Sequence, residues 1–336
     1  MTKAVWIFIL GCGVLLSVML AAVKLGAVEV NTNEILQALS KLGTQESLTT
    51  NEAIFMNIRL PRVLLTAVVG AILALGGVLL QALFLNPIVE PGLVGTSSGA
   101  AFGAALYFTL GVNLPLGEFG LPFMAFLGGV LSTALVFLLS QNKKGKLAIV
   151  ALLLSGLAIN ALFLSGVGFL SYLARDPQAR SITFWNLGTT SGANWDNLKV
   201  VSVAFVICLV ISLRYAKSLN ALILGEDEAV YLGVNVKRLK FVILFLNVLM
   251  IAVATAFTGV ISFVGLVVPH LVRMFLGSEN KRLMWISTLV GAVLLCLSDL
   301  LSRTLFAPAE LPIGILTTLI GVPVFIYLLR KNNYQF

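Results

Sequence analysis

The sequence RVLLTAVVGAILALGGVLLQALF fills residues 62–84, and its only charged residue is Arg62, at the start. The hydrocarbon core of a bilayer is about 30 Å thick, so a helix needs about 20 apolar residues to cross it. This run therefore predicts a transmembrane helix. Comparable apolar runs follow or precede it at 4–28, 93–112, 120–141, 147–170, 198–216, 241–259, 284–302 and 312–329.

Composition points to the same fold class. The chain is 59% hydrophobic and 11% charged, whereas soluble domains carry about 25% charged residues. A net charge of +8 suits nucleic-acid binding, but the basic residues stand in short clusters between apolar runs, as they do in membrane proteins. We predict an all-α polytopic membrane protein with a single transmembrane domain over residues 1–336 and no nucleic-acid partner.

A tenth, shorter apolar run lies near 268–277. Because proline suits the first turn of a helix and breaks its interior, Pro269 predicts an extended leg over 260–267 followed by a short helix. Non-helical backbone at membrane depth is tolerated inside protein or beside a water-filled cavity. The sequence thus predicts about ten transmembrane helices.

Lys and Arg placement predicts the orientation. The loops that include Lys143, Lys237 and Arg330 hold more Lys and Arg than the alternate set of loops. Cytoplasmic loops carry this excess, so we expect both termini in the cytoplasm. A polar segment at about 29–58 is then external, and another at about 217–240 is cytoplasmic.

The 217–240 segment contains LNALILGEDEAVYLGVNVKRLK, residues 219–240. Its apolar spacing suggests two short amphipathic helices separated by Gly225. Glu226, Asp227 and Glu228 would open the second helix, where acidic residues favour the helix dipole.

Chemistry-bearing residues are scarce. His270 is the only histidine, and no phosphate-binding loop of the form GxxxxGK[ST] occurs. We expect no enzymatic activity, no metal site and no bound cofactor in this chain. Asp299 and Arg303 are four residues apart and can pair on one helix face. Since an ion-coupled transporter relies on more buried charge, energy is expected to come from outside the chain.

Glycines recur at 95, 99 and 103 and share one helix face. Small residues let two helix backbones approach closely, so this face predicts helix packing.

Arginines at the external ends of spans are ambiguous from the residues alone. Arg59 and Arg62, in RLPR, open the second span, and Arg303 closes the ninth. A guanidinium can fork onto a partner's carboxylate, or it can simply reach the lipid interface.

Several stretches together resemble the FecCD-type permeases, the membrane subunits of binding-protein-dependent ABC importers for iron-siderophores, haem and cobalamin. They follow one order and cover nearly all of the chain from the second span onward. They are RLPR at 59–62, QALFLNPIVEPGLVGTSSGA at 81–100, FWNLG at 184–188, LGEDEAVYLGV at 224–234, GVISFVGLVVPHLVR at 259–273 and SDLLSRTLFAPAELPIGILTTLIGVPVFIYLL at 298–329.

The resemblance implies a type II ABC importer permease. It implies a second permease copy, most simply an identical one, two ATPase subunits on the cytoplasmic side and a periplasmic or lipid-anchored binding protein outside. ATP and Mg²⁺ would be bound by the ATPase. The location would be the bacterial inner membrane, and the cargo an iron-siderophore or haem.

The resemblance also carries over roles. Arg59, Arg62 and Arg303 would dock the binding protein. Asn86, Pro87 and Ile88 would form a turn near the cytoplasmic gate, and Asn160 would lie on a helix lining the pathway. The ATPase-coupling residues would be Leu224, Gly225, Glu226, Ala229, Leu232 and Gly233.

The residues alone leave other functions open. A stand-alone secondary transporter needs buried acid–base pairs, and a polytopic prenyl-transferase needs paired acidic motifs. Within the family, cobalamin or a small oxyanion such as molybdate is the alternative cargo.

Overall fold

A computed structural model describes residues 3–26, 28, 30–41, 47–111, 114–141 and 149–331, and these ranges contain helices and no β-strand. Lys143 and parts of the predicted external segment, at 29 and 42–46, lie outside the described residues. The α-helices in chain order are α1 Lys3–Lys24, α2 Thr32–Ser40, α3 Thr50–Ile54, α4 Leu60–Leu83, α5 Thr96–Leu110, α6 Gly120–Ser140, α7 Ile149–Leu173, α8 Asp176–Asn186, α9 Trp195–Leu222, α10 Glu226–Tyr231, α11 Val236–Thr258, α12 Val264–Leu276, α13 Asn280–Thr304 and α14 Ile313–Lys331.

All ten predicted spans correspond to helices, so the predicted fold class is confirmed. Within the described ranges, seven helical stretches are long and apolar enough to cross a membrane: Val5–Lys24, Thr50–Leu83, Gly117–Ser140, Val150–Leu173, Trp195–Leu222, Val236–Thr258 and Asn280–Thr304. The other three, α5, α12 and α14, are shorter.

α4 lies at the centre of the molecule and packs against α9, α11, α12 and α13. Nearly all of its residues are buried. Gly70 on α4 meets Gly291 on α13 so closely that a Cβ added to Gly70 would lie 2.3 Å from the Gly291 carbonyl oxygen. Such contacts let two helix backbones touch where larger side chains would hold them apart.

The predicted glycine face is confirmed as a packing surface between α5 and α6. A Cβ added to Gly99 would lie 2.3 Å from the carbonyl oxygen of Gly128. At Gly103 it would lie 2.1 Å from the carbonyl oxygen of Met124.

The short segment between α1 and α4 is organised by capping and one ion pair. Lys41, at the end of α2, pairs with the buried carboxylate of Glu52 on α3 at 2.8 Å. The hydroxyl of Thr49 caps α3 by accepting from the backbone N–H of Glu52. A π-helical turn, Phe55–Arg59, then joins α3 to α4.

The prediction of a long extended leg before Pro269 is wrong. The non-helical leg covers 259–263, and Pro269 lies inside α12, which begins at Val264. A proline in a helix interior leaves the carbonyl four residues earlier, here that of Gly265, without its N–H partner. The Gln81 amide on α4 fills this gap, donating to the carbonyl oxygens of Gly265 at 3.4 Å and Leu266 at 3.1 Å.

The predicted pair of short amphipathic helices in 217–240 is half correct. The second is α10, but the first is the end of α9, which continues unbroken to Leu222. The continuation is stabilised because Leu219 and Leu222 are buried. The Asn220 side chain also accepts from the backbone N–H of Asn280, at the start of α13, at 2.9 Å.

Candidate functional site

The three predicted docking arginines meet at one end of the molecule, called here the arginine end. Arg62 donates from Nε and Nη2 to Asp299 Oδ1, at 3.0 and 2.9 Å. It also donates from Nη1 and Nη2 to the two carboxylate oxygens of Glu310, at 3.0 and 2.9 Å. Arg303 Nε lies 3.1 Å from Asp299 Oδ2, so the predicted Asp299–Arg303 pair is confirmed. Thr190 adds a hydrogen bond to Asp299 Oδ1 at 2.9 Å.

Arg59 and Arg303, at the arginine end, also bind the last turn of α1. Arg59 Nη1 donates to the carbonyl oxygens of Val23 and Lys24, both at 2.7 Å. Arg303 Nη2 donates to the carbonyl oxygen of Ala22 at 3.0 Å. These bonds satisfy carbonyls that the last turn of a helix leaves without intrahelical partners.

Burial bears on how these arginines could act. Arg59, Arg62 and Arg303 are only 5%, 6% and 7% exposed, and each is bonded within the chain. Glu310 is the most accessible member, with its side chain 43% exposed. The docking role of the arginines stays a prediction, and a partner reaching them would have to take the place of an internal bond.

The predicted coupling residues lie on and around α10, at the opposite end. Gly225 joins α9 to α10 with φ +121° and ψ 158°, a conformation that suits glycine. Glu226 pairs with Lys240 on α11 at 2.6 Å, and Ala229 is fully buried. Large apolar or aromatic side chains of this hairpin stand exposed at Leu224, Val230, Tyr231 and Leu232. Gly233, with φ +82°, ends α10.

The predicted gate turn follows α4. The Asn86 side chain accepts from the backbone N–H of Ile88 at 2.9 Å, which closes a tight turn over Pro87. Pro87 and Ile88 face a small space that His270 on α12 and Leu328 on α14 also line. The turn therefore lies beside α12 and α14.

A larger cavity of about 360 Å³ lies deeper between the helices. Asn160 on α7 lines it, accepting from the Ser98 hydroxyl at 2.5 Å and donating to the Gly92 carbonyl at 3.4 Å. Ser262, on the 259–263 leg, also lines it. Non-helical backbone at this depth thus borders a cavity, which is the situation that the bilayer tolerates.

Glu90 is the residue that the sequence reasoning missed. It lines the same cavity, and its Oε1 accepts from the backbone N–H of Phe263 at 2.8 Å. The available signal was an acidic residue inside the apolar stretch 87–95, because ionisable residues at membrane depth usually serve function.

Comparison with known proteins gives a consistent picture. A family model described as the FecCD transport family matches residues 14–331. The hemin transport system permease protein HmuU of Yersinia pestis is 44% identical over 291 residues, covering 85% of this chain and 86% of that protein. The molybdate import system permease protein MolB of Haemophilus influenzae is 38% identical over 286 residues, covering 84% of this chain and 83% of the relative.

A solved structure agrees in shape as well as in sequence. It is described as an inward-facing, metal-chelate type ABC transporter, and it superposes with a TM-score of 0.84 at 34% identity. The match covers 97% of this chain and 99% of the other.

Proposed function

The chain belongs to the FecCD transport family and is a permease subunit of an ABC importer, and we propose that its cargo is an iron chelate, either an iron-siderophore or haem. The observation that supports this cargo is the 44% identity to a hemin permease along most of both chains. A solved relative described as metal-chelate type points the same way. Cobalamin and molybdate are the alternatives, the latter because a molybdate permease is 38% identical.

A separate ATPase subunit supplies the energy in this proposal. It binds ATP and Mg²⁺ and docks against the α10 hairpin, whose exposed Leu224, Tyr231 and Leu232 form an apolar surface. Surface of this kind outside the bilayer favours a protein partner. Membership of an ABC importer family sets aside the stand-alone secondary transporter.

The binding protein docks at the arginine end in this proposal. Arg62 is the point of exchange, since its second carboxylate, Glu310, is partly exposed and can move aside. An acidic side chain of the binding protein would then pair with Arg62, while Asp299 keeps its own bond to the same guanidinium. Docking would therefore replace one ion pair of Arg62 by another. The number of buried, unpaired charges would stay nearly the same.

The pathway lies between two identical copies in this proposal. α7 leaves Leu154, Leu157 and Leu164 exposed, and Leu164 lines the cavity together with Asn160 of the same helix. The Asn86–Ile88 turn would close the cytoplasmic end. Both termini would then be cytoplasmic, in a bacterial inner membrane.

Transport by the reconstituted complex tests the cargo. The permease is purified with its ATPase, placed in liposomes and given the binding protein encoded beside it, with a ferric siderophore, hemin, cobalamin or molybdate. ATP-dependent uptake of the siderophore or of hemin is expected, and none with ADP. Uptake of cobalamin or molybdate alone would overturn the cargo, and uptake without ATP or ATPase would overturn the importer mechanism.

A further inference from the structure

Two residues outside glycine have left-handed backbone in the described part of the chain. They are Leu85, with φ +50°, and Phe263, with φ +69°. Side chains other than that of glycine make this conformation unfavourable, so it persists only where the surroundings impose it. Residues of this kind concentrate at switches and ligand clamps.

The two residues lie in two segments that a single hydrogen bond joins. Leu85 is the second residue of the 84–95 segment, the stretch between α4 and α5, and Phe263 ends the 259–263 leg before α12. Glu90 lies in the first segment and accepts the N–H of Phe263 at 2.8 Å. One side-chain bond therefore joins the two segments, each lying between α-helices, that border the cavity.

Phe263 is held on its other sides too. Its carbonyl oxygen accepts from Val267 at 2.9 Å and so begins α12. On α14, Gly321 lies against its side chain, and a Cβ added there would be 2.4 Å from Phe263 Cβ. The conformation of Phe263 thus depends on α12, on α14 and on Glu90, and only Glu90 reaches it through a flexible side chain.

The bond to Phe263 is the main polar contact of the Glu90 carboxylate among the described residues. Among the described residues it forms no ion pair within 4.0 Å, unlike Glu52, Glu226 and Glu310. A buried N–H that loses its acceptor is costly, so the bond to Phe263 favours the arrangement in which the two segments touch.

We propose that Glu90 is a positioning residue for transport, a clasp that keeps the 84–95 segment against the start of α12 and breaks when the pathway opens. The proposal rests on the importer function above. The unfavourable backbone at Leu85 and Phe263 opposes the clasped state, so the two segments separate once the bond is broken. The Asn86–Ile88 turn moves with the 84–95 segment, which links the clasp to the predicted gate.

Two substitutions separate the bond from the charge. Glu90→Gln keeps a side-chain oxygen that can accept from Phe263 but removes the charge, whereas Glu90→Met keeps the length and removes the acceptor. The full complex in liposomes is assayed for ATP hydrolysis with and without the binding protein. We expect Glu90→Met to raise the unstimulated rate about tenfold, the shift expected from losing one hydrogen bond to a charged group, and Glu90→Gln to stay much closer to the wild-type rate.

A second variant approaches Phe263 from the other side. Gly321→Ala pushes on Phe263 without touching Glu90 and is expected to raise the unstimulated rate as well. Its matched control is Gly13→Ala on α1, where an added Cβ meets nothing within 4 Å. This pair keeps the test decisive if Glu90→Met does not assemble.

The outcomes are distinct. The clasp is overturned if the Glu90→Met or the Gly321→Ala complex hydrolyses ATP at the wild-type unstimulated rate and responds normally to the binding protein. Loss of uptake by Glu90→Gln with a normal unstimulated rate also overturns it, because the charge would then act on cargo. A wild-type complex that shows no stimulation by the binding protein contradicts the proposed importer function instead.

Discussion

Arg62 and Asp299 form a two-point contact in which Nε and Nη2 both donate to Oδ1, at 3.0 and 2.9 Å, across 237 positions of sequence. The other oxygen of Asp299 faces Arg303 at 3.1 Å. One buried carboxylate therefore serves two buried guanidinium groups and ties α4 to α13.

Removal of this carboxylate is expected to destabilise the permease strongly. Asp299→Ala leaves Arg303 without an ion pair and Arg62 with Glu310 alone, and breaking a buried pair in this way costs about 3 kcal/mol. Melting in detergent can be followed with a thiol-reactive dye in a Cys12→Ser background, because Cys208 and Cys296 are buried whereas Cys12 is exposed.

Two controls make the measurement specific. Asp299→Asn keeps an acceptor oxygen and should cost less than Asp299→Ala. Asp196→Asn breaks an exposed pair with Lys199, and such pairs contribute about 0–1 kcal/mol. Equal melting temperatures for Asp299→Ala and Asp196→Asn would contradict a structural role for the ion pairs of Asp299.

Glu310 allows the docking proposal to be tested apart from stability. Because Glu310 competes for Arg62, Glu310→Gln should make the binding protein bind several-fold more tightly, whereas Arg62→Ala should weaken binding. Affinity is measured by surface plasmon resonance on the permease in nanodiscs, at two salt concentrations. Weaker binding by Glu310→Gln would mean that Glu310 itself contacts the binding protein, and the exchange at Arg62 would be discarded.

What the sequence predicted well was local. Each span depends on its own apolar run, and the Asp299–Arg303 pair depends on a spacing of four along one helix. The partner of Arg62 could not be read in this way, because nothing in either stretch relates residue 62 to residue 299.

The same limit explains the error at Pro269. Proline favours helix starts because its missing N–H would leave a carbonyl unpaired in a helix interior. Here the side chain of Gln81, which is distant in sequence, donates to that carbonyl and removes the cost. Glu90 was missed for a related reason. Its acceptor role depends on Phe263, which lies 173 positions away.

The contact between α5 and α6 gives a prediction about packing. Gly99→Ala would place a Cβ 2.3 Å from the carbonyl oxygen of Gly128 and from Cβ of Ser132, so the two helices must separate. Overpacking of this kind costs about 1–3 kcal/mol. The thiol-dye melting temperature should fall, whereas Gly168→Ala on α7, where a Cβ meets nothing within 4 Å, should leave it unchanged. A normal melting temperature for Gly99→Ala would mean that the interface is looser than described.

Gly225 gives a prediction about coupling to the ATPase. Its backbone, at φ +121° and ψ 158°, lies in a region that only glycine adopts readily, so Gly225→Ala is strained by about 1–3 kcal/mol unless α10 reorients. Lys240 holds Glu226 at 2.6 Å, so reorientation must also pull against α11. We expect stimulation of ATP hydrolysis by the binding protein to fall several-fold while the permease still assembles with its ATPase.

The coupling assignment depends on which rate changes. If the α10 hairpin of Gly225→Ala is misfolded, the permease should lose the ATPase during purification. If α10 is folded but reoriented, the ATPase should stay bound and only its stimulation by the binding protein should fall. Gly192→Ala is the matched control, because its position meets nothing within 4 Å and has no left-handed backbone. If Gly225→Ala retains full stimulation, α10 does not transmit the motion, and the exposed Leu224 and Leu232 would need another partner.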